Sequence, residues 1–497
     1  MQSVEEDSVS SVSRGHILLL PDELLADIIS TATAWPDDID GLKFHTLYAN
    51  RWAVPPVCRR FHRLAMPNLY SQLVLTLGHR INHVDRIELD HTAGAERYHN
   101  LPGGKRVWLL HRTMEENPSL RGLCKDVIFD LDIAHWDDHG FLDWGSDFAT
   151  WFANTKSLRF HDGFGREPGS AAQPGSAALT FLRLASANMP HLKRLAFTAR
   201  TLGLDAITLF SPDLQRLILG FAELRELHLA GLTKHGVAFS GEQVITGNTY
   251  YQQHTIQWGK GRFTEISTRN YYNDPEILPL LLSWPARLEK FTYLGRCGTG
   301  WSDLNLRRVW SCLVPHLLSL QSIRITHNMT RFSPMADSLT GVDFTFFESL
   351  TFLSLSYWAT GSSNTGGKES SLLAPRLEVF EWTFQTQSQR QLFLNRFHQA
   401  EEDFLRRLAV AAGEKKIPLR EIAVVFSPVP AMEINEGVCH GITETTVEYP
   451  WDRMDRLADE IRCLGIELTY NTPSVSREDC EAAGVEARKD ARFGRSL

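Results

Sequence analysis

Most signatures that would give a function away are missing from this chain. Its 497 residues include only seven cysteines, at positions 58, 124, 297, 312, 439, 463 and 480, and no two form a C-x-x-C pair. That excludes a disulfide framework and the usual zinc spacings, and an odd, dispersed set fits reduced thiols in the cytoplasm or nucleus. No stretch approaches the eighteen or so apolar residues that span a bilayer, so no membrane partner is expected. Basic residues are not in excess: 51 Lys and Arg stand against 59 Asp and Glu, a net charge of −8. This argues against a general binder of phosphate backbones, so nucleic acid is not an expected partner, although a local basic patch would be compatible with it. There is no G-x-S-x-G, no P-loop and no dinucleotide glycine pattern. The stretch GFGREPG at 163–169 is not one, because proline and glycine follow its turn where a helix should begin.

Two weak hints of chemistry remain. In AHWDDHG, His135 and His139 stand at i and i+4 beside Asp137 and Asp138, a spacing that could share a helix face around a metal. No Glu follows the first His as in H-E-x-x-H, and the next residues, FLDWGSDFATWF, read as an amphipathic helix burying Trp144, Phe148, Trp151 and Phe152. Cys439 and His440 are adjacent, which does not readily set an imidazole against a thiolate. We therefore expect no metal, no cofactor and no catalytic residue, and a protein that is not an enzyme.

What is present is an ordinary globular composition, 43% hydrophobic and 22% charged, in a chain long enough for a small domain and a large one. Residues 1–15, MQSVEEDSVSSVSRG, are acidic and serine-rich, unlike a secretory signal, and read as a disordered leader; 471–497 read as a disordered tail. A soluble, intracellular protein is expected.

Between these ends the chain opens with LLLPDELLADIISTA. Pro21 suits a first helical turn, where its missing N–H is not needed, and Asp22 and Glu23 favour the positive end of the helix dipole. Leu24, Leu25, Ile28 and Ile29 form a broad apolar face. A second helix is expected through Val54, Val57, Cys58, Phe61 and Leu64, with Arg59, Arg60 and Arg63 between them, and a third from Pro67 through Leu69, Tyr70 and Leu73. Three short helices bury too little surface to stand alone.

The residues Leu20-Pro21-x-Glu23-Leu24-Leu25-x-x-Ile28 and Val57-Cys58-Arg59-x-Phe61-x-x-Leu64-Ala65 resemble the two halves of an F-box motif. The intervening WPDDIDGLKFHTLYANRW is longer than the usual spacer and is similar to insertions of fungal F-box proteins. The resemblance covers residues 16–75. It implies docking on a Skp-type adaptor, and through it on a cullin ubiquitin ligase, by Leu20, Pro21, Glu23, Leu24, Ile28, Val57, Cys58 and Phe61. A basic rim of Arg59, Arg60 and Arg63 would steer an acidic partner. On this reading, Leu24→Asp with Phe61→Asp abolishes adaptor binding.

Beyond residue 75 a short pattern recurs: an apolar residue, two mostly polar ones, then apolar-x-apolar. It appears as LKRLAF (192–197), LQRLIL (214–219), LRELHL (224–229), LEKFTY (288–293), LQSIRI (320–325), LTFLSL (350–355), LEVFEW (377–382) and LREIAV (419–424). Its last three residues carry the period of a strand, and several copies follow a helix-like run and a proline. The fold class expected is α/β: a small N-terminal three-helix F-box-like domain over 16–75, then an irregular leucine-rich-repeat-like solenoid over 76–470. An ordinary α/β domain with many parallel strands is the alternative. Insertions are expected at 163–178 and at 230–275. The second holds Tyr250, Tyr251, Trp258, Tyr271 and Tyr272, candidates for binding an unknown protein target if they do not form a small core of their own. Three readings follow: substrate receptor of an SCF-type ubiquitin ligase, a ligase-independent scaffold whose helices cap the repeats, and an enzyme built around His135, Asp138 and His139.

Overall fold

A computed structural model describes residues 20–33, 57–77, 102–131, 140–161, 176–199, 204–205, 209–233, 259–271, 277–296, 306–328, 339, 341–360, 368–384, 397, 399–425 and 450–470. The expected leader and tail lie outside them. Among the described residues, no helix is long and apolar enough to cross a membrane.

The elements run α1 (Asp22–Thr33), α2 (Arg59–Ser71), β1 (Gln72–Leu77), α3 (Pro102–Glu116), β2 (Asp126–Leu131), α4 (Gly140–Trp151), β3 (Ser157–His161), α5 (Ser176–Asn188), β4 (Arg194–Thr198), β5 (Leu204–Asp205), α6 (Pro212–Gly220), β6 (Glu226–Ala230), β7 (Leu232–Thr233) and β8 (Glu265–Tyr271). They continue with α7 (Ile277–Leu282), β9 (Lys290–Arg296), α8 (Leu306–Leu313), β10 (Ser322–Asn328), β11 (Phe352–Ser356), α9 (Tyr357–Thr360), β12 (Val379–Thr383), α10 (Gln399–Glu414), β13 (Glu421–Val425), α11 (Pro450–Ile461) and β14 (Glu467–Tyr470). The fold is α/β. Twelve strands pair in chain order, β1-β2-β3-β4-β6-β8-β9-β10-β11-β12-β13-β14, and β5 and β7 form a separate parallel pair. Two compact units are distinguished: Met1–Arg159 with Ala187–His191, and Phe160–Ser186 with Leu192–Leu497.

In the first unit, the described residues do not form the expected three-helix domain. Among the described residues of 16–75, only α1 and α2 are helices. Pro67 does not start a third one but lies inside α2, whose apolar phase runs on from Phe61 through Leu64 and Ala65 to Leu69. Leu73 belongs to β1, where QLVLTL alternates at the period of a strand and buries Leu73 and Leu75. Strand β1 pairs in parallel with β2, Leu73 opposite Val127 and Leu75 opposite Phe129. A helix pair leading directly into a parallel α/β sheet thus replaces the three-helix domain followed by a leucine-rich-repeat array. Helix α4 buries Phe148, and Phe152 just beyond it is buried too; Trp151 stays half-buried with the Arg121 guanidinium 4.1 Å from its ring centre. The Trp144 side chain is outside the described set.

In the second unit, every recurring hexapeptide but one ends in a strand. The exception, LQRLIL, lies in α6, where Ser211 caps the helix by accepting from the Leu214 amide at 3.3 Å and Pro212 starts it. That removes the crowding between Leu217 and Leu227, ten residues apart in sequence. From β4 to β14 all pairings are parallel, because intervening chain returns each strand to the same end of the sheet. The register aligns Leu195, Leu227, Ile266, Phe291, Ile323, Leu353, Phe380, Ile422 and Leu468 in one buried column. Helices bury matching stripes, such as Leu306, Val309 and Leu313 in α8, and Phe404, Leu405, Leu408 and Ala412 in α10. Strand β8 arises inside the stretch 230–275, where no repeat is visible in the sequence.

Candidate protein-docking site

Helices α1 and α2 pack through Leu25, Ile29 and Ala65, with Phe61 and Leu64 closing over them. The first turn of α1 begins with the Leu25 amide donating to the Pro21 carbonyl at 3.0 Å. Helix α2 is capped by Cys58, whose Sγ accepts from the Phe61 amide at 3.5 Å. The helices are also tied by charge. The Arg60 Nε donates to Asp22 Oδ1 at 2.6 Å, Arg63 donates to Asp22 Oδ2, and Arg60 Nη2 donates to the Leu20 carbonyl at 2.5 Å. The Arg60 hydrogen bond, aided by Arg63, holds the Asp22 carboxyl below the usual carboxylate range.

This arrangement sorts the sequence-derived residues into two groups. Leu24 (52% exposed), Ile28 (45%) and Val57 (62%) are among the most exposed large apolar side chains described, while Pro21 and Glu23 are also exposed. Leu20, Cys58 and Phe61 are only partly accessible, and Phe61 contributes to the small core. Because Leu24 and Ile28 lie one turn apart, they form a stripe about 100° around α1 from that of Leu25 and Ile29. The apolar face of α1 is thus broader than the part that is buried, and its exposed edge is open to a further partner. The expected basic rim is reduced: Arg59 is exposed, while Arg60 and Arg63 share the single carboxylate of Asp22. Nothing in the sequence links Asp22 to residues 60 and 63.

The second candidate is the polar face of the parallel sheet. Positions between the buried ones bring Ala196, His228, Ser267, Thr292, Arg324, Ser354, Glu381, Ala423 and Thr469 into one row. Parallel sheets usually bury both faces under apolar side chains; here the row is largely polar and most of it is partly accessible. Its charges are mutually engaged. Glu226 meets Arg194 at 2.5 Å and His228 at 3.3 Å, Lys290 meets Glu265 at 2.7 Å, and Glu381 meets Arg324 at 3.3 Å while accepting from Ser354 at 2.7 Å. The His228 hydrogen bond, with Arg194, draws the Glu226 carboxyl down to about 2.

Of the aromatic candidates, Tyr250, Tyr251, Trp258 and Tyr272 lie outside the described residues, and Tyr271 is described only as the last backbone position of β8. Residues 135–139 and the pair Cys439-His440 lie outside as well. Among the described residues, no group of three or more His, Cys, Asp or Glu side chains is placed to hold a metal ion. No protein-family model matches this chain, and no curated protein matches it in sequence.

Proposed function

We propose that the chain is a substrate-recognition subunit of an SCF-type cullin ubiquitin ligase, without catalytic residues of its own. The F-box-like helix pair docks on a Skp-type adaptor, and the polar sheet face, with the aromatic stretch 250–272, receives the target protein. One observation carries the reading: α1 leaves Leu24 and Ile28 exposed although the neighbouring stripe of Leu25 and Ile29 is already packed on α2. Such a chain contributes proximity, raising the target's effective concentration near the loaded ubiquitin carrier.

A ligase-independent scaffold has support of its own. Helix α2 passes directly into β1, and the Ser71 carbonyl at their junction accepts from Lys125 at 2.8 Å, as a cap on the sheet would. Co-expression with a Skp-type adaptor and size-exclusion chromatography separate the two readings. A one-to-one complex is expected; a chain eluting alone and folded overturns the ligase reading and leaves the cap.

A further inference from the structure

Resting on that docking reading, we infer that Asp22 is a positioning residue: through Arg60 and Arg63 it holds the two halves of the docking surface in one arrangement. The halves are far apart in sequence, and the Arg60–Asp22 contact closes a separation of 38 residues. Leu20, Pro21, Glu23 and Leu24 flank the carboxylate, while Val57, Cys58 and Phe61 flank the guanidinium that grips it. The core between the helices is small, Leu25, Ile29 and Ala65 with Phe61 and Leu64 around them, so ridge-and-groove packing constrains their relative rotation only weakly. Charge-assisted hydrogen bonds to both carboxylate oxygens are directional. The second Arg60 contact, to the Leu20 carbonyl at 2.5 Å, fixes the chain just before α1 in the same arrangement.

Ion pairs this open to water contribute little to stability. The clamp is therefore read in binding and local motion, not in the melting of the protein. If releasing it leaves about a tenth of the molecules with the surface assembled, apparent affinity falls about tenfold.

The test uses the full chain and a purified Skp-type adaptor. Three forms are compared: wild type, Asp22→Asn, and the charge-reversed Asp22→Arg/Arg60→Glu/Arg63→Glu. For Asp22→Asn we expect about tenfold weaker binding by calorimetry, an unchanged thermal midpoint, and faster amide hydrogen exchange over residues 22–33 in the free protein. The reversed variant restores slow exchange and most of the affinity. Wild-type affinity in Asp22→Asn overturns the proposal, and so does a reversed variant that exchanges slowly but binds weakly, since Asp22, Arg60 or Arg63 would then act on the adaptor directly. If the wild-type chain does not bind the adaptor, the ligase reading fails, and exchange alone decides the clamp: acceleration in Asp22→Asn upholds it, and unchanged exchange overturns it.

Discussion

Leu24 and Leu25 are consecutive residues of α1, turned about 100° from each other around its axis, the first about half exposed and the second wholly buried. Substitutions at the two should therefore separate docking from folding. Leu24→Asp with Ile28→Asp should leave the thermal midpoint in place and weaken adaptor binding by about 2 kcal/mol or more, roughly thirtyfold. Leu25→Ala should cost about 2–5 kcal/mol of local stability, visible in denaturant unfolding. Phe61→Asp, attractive from the sequence, is a poor probe because Phe61 closes the same small core.

Cys58 caps α2 with a sulfur, a weak acceptor in a place where oxygen is preferred. Cys58→Ser should hold the helix start better, by about 0.5–1 kcal/mol, and slow hydrogen exchange at the Phe61 amide. Cys58→Ala should speed it.

Glu226 sits between Arg194 and His228 with its carboxyl drawn down to about 2. A carboxyl depressed by folding supports the fold above its ordinary range, and that support is lost as pH falls through the lowered value. Carboxyl-carbon NMR should place its titration midpoint near 2. In His228→Ala the midpoint should rise, and acid unfolding should begin at a higher pH than in the wild type.

Gly231 follows β6 with φ at +76°, and a Cβ there would lie 2.4 Å from the Ala199 carbonyl oxygen. The obstacle is backbone and cannot swing aside. Gly231→Ala should lower unfolding free energy in urea by about 1–3 kcal/mol.

How far the sequence discloses this fold depends on which side chains carry the period. LRELHL and LEVFEW announce β6 and β12 because the alternating buried positions they contain, Leu227 and Leu229 in one and Phe380 and Trp382 in the other, are apolar. EISTRNY conceals β8 because Thr268 takes a place that Leu229 and Tyr293 fill in the strands beside it, and it is buried there all the same. LQRLIL mimics the repeat although Ser211 and Pro212 mark a helix start just before it. QLVLTL, read as the end of a helical region, is a strand whose alternation overlaps the helical phase of α2. At the docking site the apolar residues can be read from spacing, whereas the grip of Arg60 and Arg63 on Asp22 depends on tertiary approach and leaves no local signal.

In the sheet, each strand takes its partners from its neighbours along the chain, skipping only the short β5 and β7, so the connections between strands are free to differ in length. The short step from Ile266 to Phe291 and the long one from Ile422 to Leu468 deliver the same alignment. The entropy of closing a connection rises only with the logarithm of its length, so an added segment barely weakens the pairing that follows it. New material can thus accumulate between strands, generation after generation, while the sheet keeps its register. A chain built this way can change the surface its connections present while the strands keep their places.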